Sequence, residues 1–359
     1  MRTAVIAVGT ALALAALAGC ASSSSGASAS ALVVGEFNPF TGPDAAFGPE
    51  MVGGCIPAVR LINAGGGVLG HQLTCVQEDT RGDPADDVKG YAMALWAHKA
   101  GYTRAAAVFG NDAGAQSDVP TLVSAFTRLG GTIVYNKPFA LDQSSYRTEI
   151  ENILATHPQV IFTEVDPQTA ATFMAELQQL HGLLPVIGTE VTLQAPWLKA
   201  VTSAIGATAM AKYFEGMQPY APASGPAWAA YNKSLLASSS QVPKPGQWST
   251  DPYSMTYYDG VNVMALAMIA AKSTDPKVFN SYIVKVTAPG TGKTVVTTFA
   301  AGKKALQEGK QSQYVGAGGP IVFNRWHNSP GAFEAARYLN GNPSLVGSVS
   351  AAQIAAISR

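Results

Sequence analysis

Carboxylates stand just beyond two apolar runs that read as buried strands: Glu164 and Asp166 after Gln159–Thr163, and Glu190 after Pro185–Ile187. The carboxyl ends of strands are where open α/β sheets generally bind ligands, so these carboxylates are candidates to line a binding site. The same residues also fit structural roles. Asp166, followed by Pro167, fits a helix N-cap, Glu164 fits a cap as well, and Glu190 fits a solvated loop carboxylate. Nothing is arranged for catalysis. His71, His98, His157, His181 and His327 are scattered, without HExxH or a shared metal-ligand spacing, and no G-x-S-x-G elbow occurs. Lys293 lies in Thr291-Gly292-Lys293-Thr294, but the first glycine of a phosphate loop would fall on Thr287, so the segment reads as a turn. The sequence gives no positive evidence for an enzyme, a metal site or a cofactor.

The cysteines are Cys20, Cys55 and Cys75. Cys20 closes Leu17-Ala18-Gly19-Cys20, behind a run of small and apolar residues from Ala4 to Ala18 that is shorter than the roughly 20 residues needed to span a bilayer. With Arg2 ahead of it, this is the layout of a secretory signal. Its end resembles a bacterial lipobox, whose cysteine is diacylated and becomes the mature N-terminus. Residues 1–19 then form a lipoprotein signal peptide and 20–31 a flexible tether of Ser, Ala and Gly. The protein is expected outside the cytoplasm, anchored to the cell membrane by an N-terminal lipid at the outer face or in the periplasm; an ordinary secreted protein is the alternative. Outside the reducing cytosol Cys55 and Cys75 remain as an even pair and are expected to form a disulfide, two buried thiols being the alternative. Neither lies in a CxxC, which argues against a metal.

With 23 basic and 23 acidic residues the formal charge is zero, and no basic block offers a nucleic-acid footprint. The length suits about two domains.

The elements that position these residues follow from periodicity and punctuation. Leu32–Phe37 reads as a buried strand, Gly48–Asn63 as a helix kinked at Pro57 and stopped by Gly65-Gly66-Gly67, and Gln72–Gln77 as a strand. From Lys89 helices and strands alternate: helix Lys89–Ala100, strand Arg104–Phe109, helix Ser117–Leu129, strand Thr132–Asn136, helix Tyr146–Thr156, then strand Gln159–Thr163. A helix carrying Phe173, Leu177 and Leu180 on one face leads to strand Pro185–Ile187. Such alternation predicts an α/β fold with parallel sheets flanked by helices. The pattern breaks at Pro219, Pro222 and Pro226, and a long helix starts at Asp251-Pro252 with Tyr257, Val261, Met264 and Met268 as a core stripe.

Several segments, in order, resemble the type I periplasmic binding proteins, and among them the branched-chain amino-acid (Leu/Ile/Val-type) substrate-binding lipoproteins of ABC transporters. They are Phe40-Thr41-Gly42-Pro43 through Phe47-Gly48, Leu61-Ile62-Asn63-Ala64-Gly65-Gly66-Gly67-Val68-Leu69-Gly70, Asp79-Thr80-Arg81-Gly82-Asp83-Pro84, Val108-Phe109-Gly110-Asn111-Asp112, Val186-Ile187-Gly188-Thr189-Glu190, Tyr257-Tyr258-Asp259-Gly260 and Gly319-Pro320-Ile321-Val322-Phe323-Asn324. The resemblance implies two α/β lobes: 32–88 with 217–320, and 89–216 with 321–345, leaving 346–359 as a C-terminal tail. Crossings are expected near 88–91, 212–217 and 320–325. It also implies a ligand cleft between the lobes, with Phe47 packing on the ligand or in the core, Gly48 at a helix start that presents N–H groups, and Glu190 pairing with a ligand ammonium. The implied partners are a small polar ligand (an amino acid or amide-like molecule) and an ABC permease in the membrane.

The chain departs from this family in two places. Family members continue after the Asp83-Pro84 motif with a helix, a strand, a helix and a strand. Here Val88 runs straight into Lys89-Gly90-Tyr91-Ala92-Met93-Ala94, which resembles the first helix of the second lobe. This implies an internal deletion near residue 88, an incomplete first lobe with exposed sheet edges, and loss of the Ser and Thr positions that hold an α-carboxylate. The family's frequent aromatic after Asp112 is Ala113. The alternatives to an importer's binding protein are a ligand-sensing lipoprotein without a transport role and a deletion remnant that no longer binds.

Overall fold

The computed structural model describes residues 30–38, 48–79, 88–323, 329, 331–339 and 342–358. Cys20, Phe47 and the Arg81-Gly82-Asp83-Pro84 stretch lie outside the described residues.

Strand β1 (Leu32–Asn38), helix α1 (Gly48–Ala64) and strand β2 (Leu73–Asp79) open the fold. β1 and β2 pair in parallel, with Leu32 opposite Leu73 and Asn38 opposite Asp79. α1 continues through Pro57. After it the chain reverses at Gly66 and Gly67, at φ 82° and 67°, where a side chain is strained. A Cβ on Gly67 would also lie 2.0 Å from the His71 carbonyl oxygen. Cys55 and Cys75 form the expected disulfide, which ties α1 to β2 across a Cα separation of 6.2 Å.

The next stretch alternates helix and strand: α2 (Val88–Lys99), β3 (Arg104–Phe109), α3 (Ala113–Arg128), β4 (Thr132–Asn136), α4 (Arg147–Leu154), β5 (Val160–Glu164), α5 (Pro167–Leu180), β6 (Val186–Gly188), α6 (Ala195–Ile205), α7 (Ala207–Tyr213) and β7 (Phe214–Tyr220). Then come α8 (Gly225–Leu236), α9 (Pro252–Ala271), α10 (Pro276–Thr287), β8 (Thr294–Val296), α11 (Phe299–Gln307), β9 (Ser312–Gly316), β10 (Gly319–Pro320), β11 (Ala332–Leu339), β12 (Asn342–Val349) and α12 (Ala351–Ile357).

A seven-stranded sheet has the order β12-β11-β7-β6-β5-β3-β4. β3 to β7 run parallel and the β11–β12 edge is antiparallel. Side chains alternate faces along each strand. Ala105, Ala107 and Phe109 of β3 join the core under α2, α3 and α12, while Ala106 and Val108 join the core under α4 to α7. β5, buried at every position, likewise sends Val160 and Phe162 one way and Ile161 the other. Burial on both faces is why these strands are apolar runs rather than alternating ones.

A separate core unites α1 with α8 to α11, the β1–β2 pair and the three-stranded β10-β9-β8 sheet. α1 and α9 meet closely because Gly53 and Gly54 have no side chain: a Cβ on Gly54 would fall 2.4 Å from the Tyr257 Cβ. α9 is buried nearly all round, with Val261 and Met268 in this core and Tyr257 only half-buried. Asp259 of α9, wholly buried, accepts hydrogen bonds from Tyr314 Oη (2.9 Å), Ala317 N (2.8 Å) and Gly318 N (2.7 Å), so it pins the turn between β9 and β10. Lys293 Nζ donates to the carbonyls of Lys285 and Ala288 at the end of α10, as befits a turn residue.

Three expectations need correcting. Leu180, at the last position of α5, is 39% exposed instead of extending the Phe173–Leu177 face. α3 starts a turn earlier than Ser117 because Asp112 caps it, its carboxylate accepting from Ala115 N at 2.9 Å. Residues 346–357 are not a tail: Ser344–Val349 pairs with β11, and α12 follows behind a Ser350–Gln353 capping box. That strand exists through its pairing with β11, which local periodicity does not carry.

Among the described residues β1 and β2 form a sheet of two strands only, with Val33 66% and Val76 37% exposed. The bond between Cys55 and Cys75, 20 positions apart, closes a short loop around this sparse sheet. In the chain-entropy view such a closure stabilises by about 3 kcal/mol. Denaturant unfolding with and without reductant is expected to show a loss of that order on reduction, and the Cys55→Ala/Cys75→Ala double variant to match the reduced protein.

Candidate functional site

Gly90, in the first turn of α2, has no room for a side chain: a Cβ would lie 2.4 Å from Thr121 Oγ1 and 2.7 Å from the Asp118 carbonyl oxygen. This contact seats the start of α2 on α3 and delivers the neighbouring Lys89 to Asp118, with Nζ 3.2 Å from Oδ2. The ends of β5 and β6 supply two more carboxylates. Glu164, the last residue of β5, is 3.6 Å from Lys89 Nζ, and Glu190, opening a 3-10 turn after β6, is 3.1 Å away. That turn is held by the Thr192 hydroxyl donating to the Thr189 carbonyl, and by a close contact of Thr192 with Gly188.

One ammonium thus faces three buried carboxyl groups, with Asp118 at 0%, Glu190 at 6% and Glu164 at 7% exposure. Burial works against the Lys89 charge, but the carboxylates of Glu190, Glu164 and Asp118 outweigh it and hold the ammonium well above its usual range. Three ionised carboxylates would leave the cluster with surplus negative charge out of water. Asp118, the most deeply buried, takes up the imbalance: burial pushes it up to about 9, against the pull of Lys89.

Glu190 is also one wall of a cleft of about 250 Å³. Its own side contributes Leu193, Gln194, Gln218 and Pro219, and the opposite side contributes Glu50 and the segment from Gln247 to Tyr253. Glu190 Oε1 is the oxygen that meets Lys89, and Oε2 has no hydrogen-bond partner among the described residues. Across the cleft Glu50, in the first turn of α1, is hydrogen-bonded to Asp251. Burial first, and then the Asp251 and Glu190 charges, push Glu50 up to about 9. Burial also raises Asp251, the N-cap of α9, although Ser254 N donates to it at 2.6 Å. Trp228 Nε1 donates to the Ser249 carbonyl and Tyr231 Oη to the Trp248 carbonyl, which fixes the loop that carries Trp248 into the cleft.

The structure brings Glu164 and Glu190 together through Lys89. Asp166 is the N-cap of α5, its carboxylate accepting from Gln168 N (2.9 Å) and Thr169 N (3.0 Å). Gly48 begins α1, the helix whose first turn places Glu50 at the cleft. Sequence reading missed Lys89, Asp118, Glu50 and Asp251 as a group. Asp118 had a signal: it sits on the apolar face of α3 between Ala115 and Leu122, where a core residue belongs. A larger hollow of about 460 Å³, lined by residues such as Leu69, Ile269 and Leu306, has no carboxylate among the described residues that line it. Its Lys303 is engaged with the carbonyls of Gly65 and Gly67.

A sequence profile of the family described as "Periplasmic binding protein" matches residues 31–92 and 85–330. No curated protein sequence is a significant match. Among solved structures, a leucine binding protein, LivK, from Thermotoga maritima MSB8 superposes with a TM-score of 0.62 at 15% identity, covering 89% of this chain and 99% of that one. The branched-chain amino acid transporter substrate-binding protein LivJ from Streptococcus pneumoniae, in complex with isoleucine, gives 0.60 at 13% identity over 89% of this chain and 99% of that one. An ABC-transporter solute-binding protein from Rhodopseudomonas palustris HaA2, in complex with p-hydroxybenzoic acid, gives 0.61 at 14% identity over 90% of this chain and 98% of that one. At these identities the likeness is one of fold: mixed parallel sheets flanked by helices.

Removing the one cation of a buried cluster leaves uncompensated charge, at a cost of about 3–5 kcal/mol. Lys89→Met is expected to lose stability on that scale at pH 8 in urea unfolding. Asp118, which burial already holds above its usual range, keeps a native pKa above its unfolded one. The native state then binds protons that the unfolded state releases, and its stability falls as pH rises from about 4. The deficit of the variant is therefore expected to shrink at pH 5.

Proposed function

Because the chain belongs to the periplasmic binding protein family, we propose that it is the solute-binding component of an ABC importer, capturing a small polar molecule with an ammonium group in the cleft bordered by Glu190 and Glu50. The observation that carries this reading is the state of Glu190: 6% exposed, held by Lys89 through one oxygen, and with its other oxygen unpartnered among the described residues. A buried acceptor is costly to leave unmade, and an ammonium group donating to it recovers that cost. An amino acid or amide-like solute supplies such a group.

In this reading the lobes are 32–88 with 217–320, and 89–216 with the chain from 321 onward, and they close on the ligand by hinge motion about the crossings. Gly48, the first residue of α1, and Phe47, which precedes it in the sequence, take the rest of the ligand. Glu164 acts through Lys89, and Asp166 serves its helix. Cys20 carries the lipid that keeps the protein at the outer face of the cell membrane, beside the permease that receives the solute. No helix among the described residues is long and apolar enough to cross a membrane.

One observation favours a second reading, a deletion remnant: the β1–β2 sheet has two strands among the described residues and exposes Val33 and Val76. A thermal-shift screen against amino acids, amides and amines separates the two. A ligand at 100 times its dissociation constant adds about 2.7 kcal/mol to the folded state. A clear shift with at least one amine-bearing solute, lost in Glu190→Gln, is the expected outcome. A sharp transition that no solute moves supports the remnant.

A further inference from the structure

The wall facing Glu190 carries a second carboxyl pair, Glu50 and Asp251, for which a ligand with one ammonium has no use. Glu50 is 8% exposed, borders the cleft, and its Oε1 has no hydrogen-bond partner among the described residues. Its carboxyl is bonded to Asp251, itself the cap of α9. No lysine, arginine or histidine is among the described residues bordering the cleft; the other polar groups are the amides of Gln194, Gln218 and Gln247, the Thr250 hydroxyl and the Tyr253 hydroxyl.

We infer that the cleft selects a solute with two cationic nitrogens, a short aliphatic diamine, one ammonium docking on Glu190 and the other on the Glu50–Asp251 pair. This rests on the reading of the cleft as the solute site and names the solute's class. Two buried carboxyl centres on facing walls of one cavity of about 250 Å³ are satisfied together by one dication, whereas a zwitterion or acid sets its own carboxylate against them. The first turn of α1 argues the same way. A helix N-terminus attracts anions, but here the protein's own Glu50 occupies that turn. Trp248 also borders the cleft, and an indole there suits a cation better than an anion. The charge count agrees, since Lys89 is already shared among Asp118, Glu164 and Glu190, and no salt bridge to Glu50 or Asp251 occurs among the described residues.

The test is calorimetric titration of the full-length protein with 1,4-diaminobutane, 1-aminobutane and leucine. It is repeated on Glu50→Gln and on the Glu50→Gln/Asp251→Asn double variant; asparagine preserves the cap of α9. A lost charge-assisted bond corresponds to about tenfold or more in affinity. The diamine is expected to bind at least about tenfold more tightly than the monoamine, and this advantage is expected to vanish in the double variant, whose cooperative thermal transition shows that it is folded. Equal affinity for diamine and monoamine, or a diamine affinity unchanged in the double variant, overturns the inference. Tight binding of leucine with weak binding of the diamine also overturns it and leaves the solute-binding function standing. If none of the three probes binds and the thermal screen finds no ligand, both fall.

Discussion

One buried ammonium governs the site. Lys89 is the first charged residue of α2, and it meets carboxylates from three different elements: Asp118 on α3, Glu164 at the end of β5 and Glu190 after β6. None of these groups belongs in a low-dielectric interior by itself. Together they fix where α2 begins relative to the carboxyl ends of the strands, and they fix the Glu190 carboxylate with one oxygen used and one left over. Under the proposed function, that remaining oxygen is what offers the cleft to a cation.

Close approaches made possible by missing side chains hold this arrangement. Gly90 lets α2 lie on α3, Gly188 lets the turn bearing Glu190 fold back on β6, and Gly53 and Gly54 let α1 and α9 bring Glu50 beside Asp251. Around them sits ordinary α/β packing, with strands buried on both faces in one half and helix on helix in the other. The turn after β6 and the end of β7 supply residues at one wall of the cleft, and the starts of α1 and α9 with the loop before α9 supply the other. The positive helix ends temper the concentration of acidic groups there, and the protons held by Glu50 and Asp118 complete the balance.

Much of the fold was legible because it rests on local signals. The strands Arg104–Phe109 and Thr132–Asn136 coincide with the apolar runs, and Asp251-Pro252 marks the start of α9 as an N-cap with proline should. The disulfide followed from a count of cysteines and an exported context. What was not legible is long-range. β12 is a strand because β11 pairs with it, whereas α10, which opens on Asp275-Pro276 as α9 does on Asp251-Pro252, carries a local signal that sequence reading missed. The site divides the same way. Glu164 and Glu190 were visible at strand ends, but Lys89 and Glu50 look like surface residues at helix starts until the tertiary fold buries them. Their charge became meaningful only beside partners 29 and 201 positions away, Asp118 and Asp251.

The most direct measurement is competitive retention. The purified protein is incubated with an equimolar pool of amino acids, short diamines, benzoates and fatty acids, washed, and its bound molecule identified by mass spectrometry, with Glu190→Gln in parallel. A cleft built on Lys89 and walled by carboxyls predicts that the retained molecule carries a protonated nitrogen, is held one per chain, and disappears in the variant. Retention of a benzoate or fatty acid, with no cationic nitrogen, would contradict it.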